Sequence, residues 1–389
     1  MQKRSSPNVS GTRAALDWRA WSLLEGLRVT GWPSVADRSL DEARADLRLL
    51  CATTSVWQPV ARVGALTLEL EGSRVALRVY EPIAGERGER ALLVWLHGGG
   101  FVLGDLETAD ATCRSLANRS GAVVVSVDYR LAPDPGCVAG GDDAYRVLRW
   151  AMANARALGC DPQRVVIGGE SAGATLAALA TLRSRDAGEE QPALQVLVYP
   201  CTDCTMSLAD HQPGTAQLLT WDSVDWFAVH CFADLDPASP QISPCRAARH
   251  DSLSPALVIT AECDLLCSDG EAYVALLREA GNVVTHTRYA GQIHGFFTMD
   301  LIFPAARKAQ REVGSAIRAL PAGQSVDDRQ PVQPLPIVWS SPVERALKAG
   351  RALTDRLPPT TLLRAGRTIL QHKLRQLTTA AFSIRETVR

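Results

Sequence analysis

The sequence predicts an α/β fold: a mostly parallel sheet of about eight strands with an antiparallel hairpin at its N-terminal end and a helical cap. Two observations predict the sheet and a third predicts the cap. From Ala91 onward, short runs rich in β-branched residues alternate with helical patterns, as parallel strands covered on both faces by helices do. Upstream, Leu66 to Leu70 and Arg74 to Tyr80 flank Glu71-Gly72-Ser73, a glycine-containing link short enough for a hairpin on the sheet edge. Finally, the connection from Pro200 to Pro255 is far longer than a usual crossover. It carries Trp221, Trp226 and Phe227 in a helix-like stretch, and insertions of this kind are typically lids or binding loops.

Taken in chain order, Trp18, Trp21, Leu23 and Leu24, then Leu40 to Leu50, read as two amphipathic helices that complete the cap. After the hairpin, strands are expected at Leu92 to Leu96, Ala122 to Val127, Arg164 to Gly168, Leu194 to Tyr199, Ala256 to Ala261 and Val283 to Tyr289. Helices are expected near Ala109 to Arg119, Asp142 to Leu158, Ala172 to Arg185, Gly270 to Ala280 and Pro304 to Leu320, with right-handed crossovers. The organisation is then cap helices over 1–60, a core over 61–320 interrupted by a cap insertion at 201–254, and an extension over 321–389.

Composition sets the class. The 389 residues are 46% hydrophobic and 21% charged, with 29 Gly and 22 Pro, so a packed globular enzyme fits and a disordered or fibrous chain does not. A formal net charge of −1 provides no overall field to recruit nucleic acid. Charges at Lys3, Arg4, Arg13, Asp17 and Arg19 interrupt the apolar core that a secretory signal needs, and no stretch is long and apolar enough to span a membrane. The expected location is cytoplasmic, where ten scattered cysteines stay reduced. Cys201-Thr-Asp-Cys204 has half the spacing of a zinc or redox motif, but no second pair follows, so buried thiols are the preferred reading.

The chemistry is carried by two glycine-rich motifs. Gly169-Glu170-Ser171-Ala172-Gly173 follows an expected strand and opens an expected helix, the context in which G-x-S-x-G forms a sharp turn that exposes the serine hydroxyl. Taken alone, the pentapeptide could equally be a Gly-Ser helix start with Ser as N-cap. His97-Gly98-Gly99-Gly100-Phe101 also follows a strand, and consecutive glycines let backbone N–H groups converge on one point. The triplet lacks the ending of a phosphate-binding P-loop and the spacing of a dinucleotide motif, so it is read as an oxyanion hole formed by Gly98 and Gly99 with Ala172.

Position selects the base among seven histidines. His97 belongs to the glycine loop, His211, His230 and His250 to the cap insertion, His286 to a strand and His372 to the tail. His294 alone follows the last strand, at the edge where Ser171 must emerge. The acid should end the preceding strand, where Glu262 and Asp264 both stand. Ser268 with Glu271 three residues on reads as a capping box that leaves Asp264 in the loop just before a helix, so Asp264 is preferred and Glu262 is the alternative. Nucleophile, acid and base in the order Ser171, Asp264, His294 is the order of the α/β-hydrolase fold.

These residues resemble the hormone-sensitive lipase-like family of carboxylesterases over about Leu66 to Ala319: His97-Gly98-Gly99-Gly100, Asp128-Tyr129-Arg130-Leu131-Ala132-Pro133, the serine pentapeptide, Asp264 and His294-Gly295-Phe296. The resemblance implies an acyl-enzyme mechanism on small-molecule, short- to medium-chain esters, no metal or organic cofactor, and structural roles for Tyr129 and Arg130. It also leaves open non-hydrolytic relatives, namely acyl transferases, dehydratases or cyclases, and ligand-binding receptors that have lost a triad member. Two stretches depart from the family pattern: Asp134-Pro135-Gly136-Cys137-Val138-Ala139 after the Ala-Pro pair, and Leu265 and Cys267 in the acid loop.

Beyond Leu320 the family has no counterpart. Pro321 to Pro336 reads as a polar, Pro-rich linker, and apolar residues at helical spacing from Val343 to Leu357 and from Leu362 to Leu377, among mostly basic charges, read as a pair of basic amphipathic helices. Such a pair would fold onto its own body, dock on a sister subunit in a homo-oligomer, stay partly disordered, or lie on an anionic membrane.

Overall fold

Strands buried on both faces become near-continuous apolar runs, and this chain's central strands have that character. The computed structural model describes residues 16–70, 72–84, 89–207, 218–232, 235–322 and 334–340. In it, β3 (Arg90–Leu96), β4 (Val123–Asp128), β5 (Cys160–Glu170), β6 (Leu194–Val198), β7 (Ala256–Cys263) and β8 (Val284–Ile293) pair in parallel. The N-terminal hairpin of β1 (Arg62–Leu70) and β2 (Ser73–Glu81) joins antiparallel to β4, and β1 shows the in-out alternation of a strand near an edge.

Successive residues of one strand serve opposite faces. Leu92, Val94 and Leu96 pack with α4 (Cys137–Asn154) and α5 (Ala172–Asp186), whereas Leu93 and Trp95 pack with α3 (Asp110–Ser120) and α8 (Pro304–Arg318). The long parallel array puts the C-terminal ends of β5, β7 and β8 side by side along one edge of the sheet, which is where ligands bind in open α/β sheets.

Among the described residues the sheet has nine strands, where about eight were expected. The ninth, β9 (Val338–Ser340), comes from the extension and pairs antiparallel with β1, completing the order β8-β7-β6-β5-β3-β4-β2-β1-β9. An unpaired β1 edge would leave backbone donors and acceptors open. Gly64 leaves room for Ile337 and Trp339, and Arg62 lies over the Trp339 ring at 4.2 Å. The extension therefore returns to the core at once. The amphipathic patterns at 343–357 and 362–377, with His372, lie outside the described residues, as does His211.

Over the C-terminal edge sit α1 (Trp18–Val29), α2 (Leu40–Thr54) and α6 (Trp221–Cys231), the last from the long insertion. Ser39 and Glu42 close a capping box at the start of α2. Trp18 and Trp21, expected on the buried face of α1, are exposed at 65% and 58%; Ala20 is buried instead, with Leu23 and Leu24 packed beside it. The cap is stitched to the core by Asp17 N–H to the Gly291 carbonyl (2.9 Å) and Val56 N–H to Asp300 Oδ1 (2.7 Å).

Candidate active site

Ser171 sits on the single-residue turn between β5 and α5 with φ 54° and ψ −125°, a conformation that costs an L-residue on the order of 1–3 kcal/mol and persists only where the surroundings impose it. They do so through glycine. A Cβ on Gly173 would collide with the Leu96 and His97 carbonyls, and one on Gly169 with the Leu96 carbonyl, so both positions let β5 and α5 close against the end of β3.

His294 follows β8 and bridges the other two residues. The Ser171 hydroxyl donates to His294 Nε2 at 2.9 Å, and His294 Nδ1–H donates to Asp264 Oδ2 at 2.7 Å. Burial alone would lower the imidazole pKa; the Asp264 carboxylate, by charge and hydrogen bond, and Glu170 by charge, outweigh it and leave the pKa raised above 6.5. Asp264 is 3% exposed, and its second oxygen accepts the Leu266 N–H at 3.0 Å. The expected capping box at Ser268 is absent: α7 (Cys267–Glu279) begins one residue before Ser268, leaving it inside the first turn, and α7 has no side-chain cap. Glu262 lies on β7 and accepts the Gly291 N–H at 2.9 Å, so it braces the loop that carries His294 and does not touch the imidazole.

The glycine loop departs from expectation at one residue. Gly98 N–H donates to Glu170 Oε1 at 2.6 Å, because a glutamate at the variable position of the serine pentapeptide is long enough to fold back over the loop. The Gly99 and Ala172 N–H groups have no backbone acceptor among the described residues, and both residues line the Ser171 cavity. Gly99, at φ 122°, cannot carry a side chain, since a Cβ would strike the Leu103 carbonyl. The cavity wall raises the Glu170 pKa by desolvation, opposed by the Gly98 bond and the nearby His294.

The other histidines among the described residues are occupied elsewhere. His97 is buried, stacks on Tyr129 at 4.3 Å and bonds the Gly98 carbonyl through Nδ1, while Tyr129 donates its hydroxyl to the His97 carbonyl at 2.7 Å. His286 meets Thr260, His230 meets the Trp226 carbonyl and His250 the Pro244 carbonyl. Arg130 grips the buried Asp143 with a bidentate pair at 2.8 and 2.9 Å. Sequence reasoning passed over Glu170 and also Tyr199, whose ring sits 4.7 Å from the His294 ring at the end of β6.

Ser171 and His294 open onto a cavity of about 940 Å³, walled by Leu24 and Leu27 of α1, Leu47 and Leu50 of α2, and Val224 and Phe227 of α6. Among the described residues there is no cluster of side chains suited to a metal ion and no helix long and apolar enough to cross a membrane.

Fold and site together define an α/β-hydrolase with a Ser–His–Asp constellation. The α/β-hydrolase-fold family is matched by residues 93–298, and the chain belongs to the hormone-sensitive lipase-like family of α/β-hydrolase carboxylesterases. It is 36% identical over 307 residues to the carboxylic ester hydrolase LipN of Mycobacterium tuberculosis, covering 76% of this chain and 81% of that protein. It is 35% identical to the ethyl acetate hydrolase of Pseudomonas putida, over 61% of this chain and 76% of that one. Among solved structures, the hyperthermophilic esterase of the archaeon Pyrobaculum calidifontis superposes with a TM-score of 0.72 at 36% identity, covering 78% of this chain and 98% of the other.

Proposed function

We propose that this carboxylesterase cleaves esters of small alcohols with short- to medium-chain acids through an acyl-enzyme on Ser171. The observation that carries the reading is the unbroken hydrogen-bond line Ser171–His294–Asp264, at 2.9 and 2.7 Å, on the floor of a largely apolar cavity. Neutral His294 takes the hydroxyl proton as Ser171 attacks the ester carbonyl, and Asp264 holds the imidazole in the receptive tautomer and stabilises the imidazolium. The negative oxygen of the tetrahedral intermediate is met by the N–H groups of Gly99 and Ala172, with Gly98 held back by Glu170. His294 then returns the proton to the departing alcohol, and water repeats the sequence to release the acid.

The working compartment is proposed to be the reducing cytoplasm, in keeping with ten cysteines of which none is joined in a disulfide. Contact of 341–389 with a sister subunit or an anionic membrane is supported only by its basic helical pattern. A panel of p-nitrophenyl esters from acetate to palmitate tests the substrate reading. The highest kcat/KM is expected at short to medium chain length; failure to turn over any member would overturn the assignment.

A further inference from the structure

Tyr199 directly follows β6, is fully buried and holds a left-handed backbone with φ 35°. The conformation is unfavourable for a bulky L-residue, and more so ahead of Pro200, because the proline ring restricts the residue before it to extended conformations. Glycine would take this backbone at no steric cost. The backbone is fixed on both sides: the Tyr199 N–H donates to the Ile259 carbonyl of β7 at 2.6 Å, and the preceding Val198 carbonyl accepts the Ser171 N–H at 2.9 Å. A strained position filled by tyrosine points to a use for its side chain.

Its ring lies against the His294 imidazole, with centroids 4.7 Å apart and planes inclined at 52°, and meets Phe296 of the same loop edge-to-face at 5.9 Å. Ser171 and His294 line the cavity and Tyr199 does not, so the ring backs the imidazole and stays clear of substrate. The charged groups that face His294 are Asp264, from the loop before α7, and Glu170, from the end of β5, with the Ser171 hydroxyl on its other nitrogen. The Tyr199 hydroxyl lies beside the Glu170 carboxylate but has no partner at hydrogen-bond geometry, and Cys51 of α2 is the further titratable group in its neighbourhood. The His294 side chain is 14% exposed and that of Asp264 not at all, so the imidazolium formed in turnover has little water to solvate it. A cation within about 6 Å of an aromatic centroid is attracted by the ring quadrupole, most strongly where it is desolvated.

We infer that Tyr199 is a positioning residue for His294: its ring holds the imidazole on the line between Ser171 and Asp264 and stabilises the imidazolium that forms when the serine proton is taken. The inference rests on the reading of His294 as general base and gives that base an aromatic partner beside its carboxylate one. Placing the ring there is what the left-handed backbone at Tyr199 achieves, since the chain must turn at the end of β6 to lay the side chain under the loop that carries His294 and Phe296.

The test uses the full-length protein and p-nitrophenyl butyrate. Tyr199→Leu removes the ring and should lower kcat about tenfold while KM stays within about twofold, because the ring does not line the cavity. With one stabiliser of the charged form gone, the acid limb of kcat/KM should move to lower pH. A histidine NMR titration of the free enzyme should show the same move for the resonance that His294→Ala abolishes. Tyr199→Phe keeps the ring and should return all three readings close to those of the parent. A second series leaves the packing in place: phenylalanine carrying one, two and three ring fluorines at position 199 draws electron density from the ring face with little change in volume, and kcat should fall at each step. Equal kcat along that series, or a folded leucine variant that is slow but has an unmoved acid limb, would overturn the role given to the ring. The NMR titration is read without turnover, so the two readings fail separately. A parent protein that hydrolyses no ester overturns the His294 assignment, whereas an active parent whose His294 titration ignores the loss of the ring overturns this inference alone.

Discussion

Asp264→Asn changes one atom of the Ser–His–Asp line and should cost about 10⁴-fold in kcat, close to the loss seen when the same exchange is made in a protease triad. Asp264 Oδ1 accepts the Leu266 N–H at 3.0 Å while Oδ2 accepts His294 Nδ1–H at 2.7 Å, and the side chain is shut off from water. Asparagine has only one acceptor. If its oxygen stays on Leu266, its NH₂ faces His294 and favours the tautomer protonated at Nε2, which cannot take the Ser171 proton. If it flips, two donors oppose each other at the start of α7, at a cost of about 1–3 kcal/mol. The flipped rotamer keeps the productive imidazole only at that cost and without the carboxylate charge that stabilises the imidazolium, and four decades in rate correspond to about 5.4 kcal/mol of transition-state stabilisation. Steady-state hydrolysis of p-nitrophenyl butyrate, with circular dichroism to verify folding, measures this. Glu262→Gln is the control: a glutamine oxygen can still accept the Gly291 N–H, so activity should stay within about tenfold of the parent. A nearly normal Asp264→Asn beside a crippled Glu262→Gln would refute the reasoning.

The free enzyme needs neutral His294, whose pKa is raised, so kcat/KM should be low in acid and climb through an apparent pKa above 6.5. Glu170→Gln keeps an acceptor for Gly98 but removes a charge that favours the imidazolium, so the acid limb should move to lower pH; an unmoved limb would contradict the electrostatic role given to Glu170. A chain stopped after Leu320 loses β9 but no triad or oxyanion residue. It should keep most of its activity on small esters and melt lower, by roughly 2–4 °C for each kcal/mol lost, whereas a chain stopped after Ser340 should regain the difference. Equal melting of the two would show that β9 contributes nothing to the edge.

Much of the fold was legible because burial on both faces writes itself into composition: Leu92 to Leu96 and Leu194 to Val198 have few other readings. The nearness of Ser171, Asp264 and His294 followed from topology, since each closes a strand whose C-terminal end lies on one edge of the sheet. What escaped notice depended on distant partners. The three residues of β9 carry no periodicity, and their pairing with β1 spans most of the chain. The start of α4 was hidden by Gly140 and Gly141, which look like a break. Gly140 is there because a Cβ would come within 2.9 Å of the Arg130 carbonyl. Glu170 occupies a position that the serine motif leaves variable, so only its bond to Gly98 marks it out.

The central claim is that Ser171 is the atom donor to the acyl group, and covalent labelling reads it most directly. A fluorophosphonate probe should add one label per chain, peptide mapping should find it on Ser171, and activity should fall in step with labelling. Ser171→Ala should take up no label and lose about 10⁴-fold or more in kcat while folding normally. A label on another serine, or an alanine variant with undiminished turnover, would contradict the account.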